Sequence, residues 1–299
     1  QPFSGQEVQI QVIAQRNWRS EQKYRFETKV LNTPSSSSHK QITVTSALRT
    51  GEFIALANRT AGLFDDLTSN ETDGVKQTQL IMQSLDKSLR SVGASLQDSI
   101  KLESYYFGTS RKEWAPLAKA RADYFKEPGP PATAIPYNDI LPYGYKTKVG
   151  ALAMRELRNT YDKYIPREDS WPPRVWDWQL NLPWRQAQKL RDMVWLGGQV
   201  PAEPFSNTGK RMFPGELLPQ TRFTMSYVED LLRPFNCKTS DIKLLVCYFQ
   251  KSDDENIISQ MLELLRNCCG GVLPPLTLVP VPHMQTPDST VEIWGVVQS

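Results

Sequence analysis

The chain has 299 residues, a net charge of +3, and 39% hydrophobic and 22% charged residues. That length accommodates two ordinary domains with a core each, and the composition is that of a globular protein. The slight positive charge is not gathered into the Lys/Arg clusters that a nucleic-acid surface needs, so no nucleic-acid partner is expected. No run of 18 apolar residues occurs, so no membrane-spanning helix is expected. The first residues lack a basic-then-apolar signal pattern, so a cytoplasmic protein is expected, unless a leader once preceded Gln1.

In chain order, Val8, Ile10 and Val12 alternate, as do Tyr24 and Phe26, which predicts strands. Asn32-Thr33-Pro34 and four serines predict a loop. Short strands follow at Ile42–Val44 and Phe53–Ala57. Leu80, Ile81, Leu85 and Leu89 recur at helical spacing between Val75 and Val92, and Gly93 is placed to end that helix. Asp98 to Phe107 reads as strand. Lys112 to Phe125 reads as a second helix, with Trp114, Leu117, Ala118, Arg121 and Phe125 on a mixed face, broken by Pro128 to Pro131. Strands near Thr133–Ile135 and Lys148–Ala153 follow. Residues 156–180 read as a connector carrying Trp171, Trp176 and Trp178, either pinned by burial of the indoles or presenting them to a ligand. Beyond it come a strand at 192–196, a helix at 221–233, a strand at 241–250, a helix at 256–266, and strands near 277–279 and 290–297.

This order contains one pattern twice. Gln77-Thr78 recurs as Gln220-Thr221, Ile100-Lys101-Leu102 as Ile242-Lys243-Leu244, Tyr106-Phe107 as Tyr248-Phe249, and Pro130-Pro131 as Pro274-Pro275. An offset held at about 142 to 144 residues over that length marks a duplicated domain. Each copy reads β-β-α-β-α-β-β, which argues an α+β fold: a mixed sheet with two helices on one face. The expected units are residues 1–155, the connector 156–180, and residues 181–299.

All four cysteines lie in the second copy, and adjacent Cys268 and Cys269 lack metal-ligand spacing. Free thiols are expected, with that pair as a point of oxidation. No Ser-His-Asp set, phosphate loop or metal motif is present, so neither a metal nor a cofactor is expected. His283 reads as a solvated loop residue.

The second copy carries a resemblance. Leu182-Pro183-Trp184, Trp195-Leu196-Gly197-Gly198-Gln199-Val200-Pro201, Gln220-Thr221, Asp241-Ile242-Lys243, Pro274-Pro275 and Val291-Glu292-Ile293 resemble, in order and spacing, the Rid family (YjgF/UK114, formerly endoribonuclease L-PSP). The first copy matches more weakly, so the whole resembles a tandem Rid protein. The resemblance implies a chorismate-mutase-like fold for each copy and self-association into a trimer-like or pseudo-hexameric assembly, with small-molecule clefts between domains. It also implies hydrolysis of reactive imines or enamines. In the family an arginine after the Pro turn clamps the substrate carboxylate, and a glutamate of the last strand holds the attacking water.

Carried onto this chain, the glutamate position is Glu292, the expected catalytic residue. The arginine position is Leu276, with Thr277 beside it. The tyrosine position is Trp184, and the strand end is Gly197-Gly198 followed by Gln199. In the first copy the corresponding positions are Ala132, Lys148 and Asn58-Arg59. Both copies lack the clamp, so Arg59, Lys148 or Arg185 are the expected donors of a replacement charge. Three functions fit: a Rid-like hydrolase with Glu292 orienting water, a non-catalytic ligand-binding or assembly module, and a chorismatase-like enzyme. The last needs basic residues for two carboxylates.

Overall fold

The computed structural model describes residues 23–30, 42–61, 71–137, 144–156, 165–252 and 254–299. The strand read at Val8–Val12, the serine-rich loop after Asn32, and Asn159, Tyr161 and Tyr164 of the connector lie outside them. The first copy runs β1 (Lys23–Val30), β2 (Ile42–Thr50), β3 (Phe53–Leu56), β4 (Arg59–Thr60), α1 (Gly74–Ser91), β5 (Ser99–Tyr106), α2 (Arg111–Ala122), β6 (Ala132–Pro136) and β7 (Thr147–Met154). Its sheet has the order β1-β2-β3-β7-β5-β6, with β4 also on β7. The second copy runs β8 (Glu168–Ser170), β9 (Ala187–Leu190), β10 (Met193–Leu196), α3 (Leu217–Leu232), β11 (Ile242–Gln250), α4 (Glu255–Cys268), β12 (Leu276–Val281) and β13 (Val291–Gln298), in the order β12-β11-β13-β10-β9-β8. In each sheet one pair is parallel, β5 with β6 and β11 with β12, and a helix supplies the crossover that a parallel pair requires. The α+β architecture read from the sequence is the one observed, as two mixed sheets with two helices each. Strand β8 comes out of the Trp-rich connector, where no strand was expected.

Local chemistry sets the helix limits. The Asp73 side chain accepts from the Lys76 N–H at the start of α1, and Gly93 takes φ +76° just beyond its end. Ser110 and Glu113 cap the start of α2 reciprocally. Ile81, Met82, Leu85 and Leu89 put one face of α1 into the first core, each buried side chain contributing roughly 1.5–3 kcal/mol.

Strand alternation divides three apolar clusters. On β11, Leu245, Cys247 and Phe249 face the helices of their own copy, while Val246 and Tyr248 face the other way. There they join Ile100 and Ile135 of the first copy, with Trp195 and Trp294, in a cluster shared by both copies. The connector straps the two together. Trp176 packs in the second core, whereas Leu182 and Trp184 pack in the first. Gly198 N–H donates to the Ala132 carbonyl (2.9 Å) and Gly129 N–H to the Pro183 carbonyl (2.7 Å), which seats the edge strand β6 against the second copy. His283 also bridges the copies rather than lying free in solvent, its Nε2 3.2 Å from the Gly108 carbonyl oxygen.

The ladders correct the repeat register. Tyr105 pairs with Lys148, and Tyr248 with Glu292. A bulge falls between Ser99 and Lys101 in one copy and between Ile242 and Leu244 in the other. Lys101 is therefore equivalent to Leu244, and Tyr105 to Tyr248. Matching Ile100-Lys101-Leu102 to Ile242-Lys243-Leu244 was one residue out, and a one-residue slip moves every side chain to the opposite face. Lys243 is indeed exposed, whereas Lys101 is 1% exposed. Among the described residues no helix is long and apolar enough to cross a membrane.

Candidate active site

The edge strand β6 of the first copy, with strand β13 and the segment that follows β10 in the second, lines a small cleft of about 80 Å³. Ala132, Thr133 and Ala134 form one wall; Gly198, Val200, Arg211 and Glu292 form the other. Trp114 and Arg121 enter from α2, and Trp176 and Trp178 from the connector. Trp184 borders the cleft, its ring edge-to-face with Phe125 (5.3 Å between centroids).

Glu292 is 7% exposed and accepts a hydrogen bond from the Ala134 N–H of the opposite wall. Burial disfavours its charged form and raises its pKa to about 7, against the opposing pull of Lys101, Arg211 and that N–H. It stands ready to give or take a proton near neutrality.

Two guanidinium groups line the same cleft, and Arg211 acts directly on this carboxyl. Arg121 is 2% exposed, and burial pushes its pKa down to about 10. Its Nη1 is buried with no hydrogen-bond partner, and the nearby Tyr106 hydroxyl is its opposing influence in place of a carboxylate. Arg211 gives Nη1 to the Gly209 carbonyl (2.9 Å), while its Nε is buried without a partner. The indole N–H groups of Trp114, Trp176 and Trp178 are also unpartnered. A buried charge without a counter-ion is strongly destabilising, and unpaired buried donors add to the cost. The cleft is thus rich in donors and poor in acceptors, a complement to an anion carrying several oxygens.

Gly198 closes the floor. A Cβ there would lie 2.0 Å from Glu292 Oε1 and 2.9 Å from Thr133 Oγ1, so carboxyl and hydroxyl flank one small space that only glycine leaves open.

Of the residues expected from the sequence, Glu292, Trp184 and Gly198 come together here. The others do not. Leu276 and Thr277 lie on β12, separated from β13 by β11, and the Pro-turn residues that meet Glu292 are Ala132 and Thr133 of the other copy. Arg59 is buried inside the first copy, where its guanidinium donates to Ser84 and to Ser88 Oγ (2.6 Å) on α1. Lys148 sits half-buried on β7 and does not line the cleft. Arg185 pairs with Asp169 and Glu127, both at 3.1 Å. Gln199 is fully buried and donates to the Gln186 side-chain oxygen (2.8 Å), serving as a core linker.

Arg121, Arg211, Trp114 and Thr133 were not singled out as site residues. Arg121 did carry a signal: it completes the Trp114, Leu117, Ala118 stripe of α2, a place where an apolar residue is expected. Arg211 carried none. The four cysteines are free thiols, three of them buried. Among the described residues no group of three His, Cys, Asp or Glu could hold a metal ion.

No family model and no curated protein matches the sequence. Solved structures do match. A chorismatase superposes with a TM-score of 0.61 at 16% identity, over 84% of this chain and 76% of its own. The chain has the chorismatase fold. Single-domain Rid-family structures match half of it: YyfA of Yersinia pestis (TM-score 0.39, 18% identity) and TdcF of E. coli with bound serine (TM-score 0.37, 20% identity) cover 45% and 44% of this chain and 100% and 98% of their own.

Proposed function

We propose that the cleft binds a small dicarboxylate and that protonated Glu292 acts on it as a general acid, in the manner of a chorismatase. The observation that carries this reading is Arg121, a fully buried guanidinium with no ion pair and an unpartnered Nη1. An incoming carboxylate would supply the missing counter-charge, and Arg211 offers a second site for one. Chorismate has two carboxylates and an enol ether. Proton transfer from Glu292 to the enol-ether methylene carbon would give an oxocarbenium ion. Water would add to the cationic carbon that carries the ether oxygen, and the resulting hemiketal would release pyruvate and a ring alcohol while a proton returns to the carboxylate. Carbon protonation is also the first step of enamine hydrolysis, so the imine/enamine reading uses the same acid. Two arginines lining one cleft favour the dicarboxylate.

The reading extends to assembly. Leu276 and Thr277 hold on β12 the position that Ala132 and Thr133 hold on β6, and a second chain docked there would repeat the arrangement of the cleft.

The test is ultraviolet monitoring of chorismate with the purified protein, with pyruvate assayed in parallel. Equal consumption and release, abolished in Glu292→Gln, is expected. Binding without turnover would favour a ligand-binding module, and absence of both would overturn the proposal.

A further inference from the structure

Lys101 lies on β5 directly behind the cleft wall and is 1% exposed. Its ammonium donates to Thr133 Oγ1 (2.7 Å) and to the Leu196 carbonyl of the other copy (2.9 Å), and stands 4.3 Å from the centre of the Trp294 ring. A cation over an indole face is favourably placed, so the three N–H bonds are directed at Thr133, Leu196 and Trp294. The fold itself does not call for this charge, since the equivalent position of the second copy is Leu244.

The Thr133 hydroxyl accepts from Lys101, so its own hydrogen must go elsewhere. Thr133 lines the cleft, and its oxygen flanks the same small space as Glu292 Oε1. Lys101, Thr133 and Glu292 therefore form a series from the buried interior into the cleft.

We infer that Lys101 is a positioning residue of the cleft, acting from behind Thr133 to keep Glu292 able to ionise. This rests on the acid role proposed for Glu292. Other charged and titratable groups surround the pair. Glu103 lies beside Lys101 on β5; from β11, Tyr248 donates to Glu103 Oε1 (3.3 Å) and itself meets Tyr105. Arg211, Tyr106 and Tyr248 act on Glu292 from the remaining sides. Burial lowers the Lys101 pKa and raises that of Glu292, and each charge opposes the shift of the other.

The test needs no substrate, so it stands or falls separately from chorismate turnover. In protein labelled with carboxyl-13C glutamate, the Glu292 resonance is assigned by its loss in Glu292→Gln and followed against pH. In Lys101→Met the midpoint should rise by about one unit or more, and Lys101→Arg should lie near wild type. An unmoved midpoint in folded Lys101→Met overturns the inference. If Lys101→Met does not fold, the reciprocal measurement decides, since coupling between two sites is mutual. The 15N-labelled Lys101 amine should titrate at lower pH in Glu292→Gln than in wild type, and an unchanged midpoint overturns the inference equally.

Discussion

The hydroxyl groups of Tyr105 and Tyr248 meet at 2.8 Å across the boundary between the two copies. They are equivalent residues, each on the strand next to the edge of its sheet and opposite the position that is Lys148 in one copy and Glu292 in the other. Only one of the two hydroxyls can donate to the other, so the contact is asymmetric even where the sequence repeats. Tyr248 also donates toward Glu103 at 3.3 Å. A double-mutant cycle of Tyr105→Phe and Tyr248→Phe, read by urea denaturation, should give a coupling of about 1 kcal/mol. Full additivity would mean that the pair does not hold the copies together.

Arg121→Met should separate stability from function. The replacement removes a buried charge that lacks an ion pair, and exchanging such a charge for an apolar side chain of similar volume is expected to stabilise by about 1–4 kcal/mol. Removing the same charge should weaken chorismate binding about 100-fold or more. Thermal melting and calorimetric titration of one sample measure both. A lower melting temperature with unchanged affinity would contradict the role assigned to Arg121.

The pH dependence of stability should carry the mark of Glu292. Its pKa is raised from 4.5 to about 7, so the folded state holds a proton that the unfolded state has already lost. The resulting stabilisation is present in full below about pH 4.5 and is lost as pH rises to 7, a change of about 3 kcal/mol. Glu292→Gln should flatten that part of the profile. Denaturation of both proteins at pH 4.5, 6 and 7.5 checks it, and parallel curves would refute it.

Gly198→Ala should abolish turnover with modest loss of stability. The added methyl would lie 2.0 Å from Glu292 Oε1, so the carboxyl must turn away. Steady-state assay with chorismate should show the loss mainly in kcat if Glu292 is the acid.

Leu276→Arg restores the arginine that the Rid resemblance placed at the turn, yet in the single chain it should not alter the chemistry of its own Glu292, because β11 stands between β12 and β13. Arg185→Ala should likewise leave ligand affinity unchanged and cost about 1 kcal/mol or less, as expected for partly solvated ion pairs. A gain of turnover in the first, or a loss of binding in the second, would return these residues to the site.

Helices and strands were legible in the chain because periodicity and caps are local. Asp73 and Gly93 bound α1, and alternation along β11 assigns Leu245 and Tyr248 to opposite faces. Half of the cleft was less legible, because its walls come from different copies. Pairing Leu276 with Glu292 assumed that a turn and a glutamate of one copy share a site. The sheet order separates them and brings Ala132 and Thr133 to Glu292 instead. Arg121 could be read as an arginine in an apolar stripe. Arg211 could not, since no periodicity surrounds it; it lies in a loop whose path is set by contacts such as Met212 N–H to the Pro201 carbonyl (2.7 Å).

A cleft whose walls belong to two copies has a further consequence when those copies share one polypeptide. In a ring of identical subunits every substitution appears at every interface, so a residue that improves one wall is imposed on all the others. Tandem fusion removes that constraint. The position that is Glu292 in one copy has become Lys148 in the other, and the buried strand position that is Lys101 in one has become Leu244 in the other. Each copy is free to carry a charge where its counterpart carries a different residue, so a repeated scaffold holds a polar, directional site.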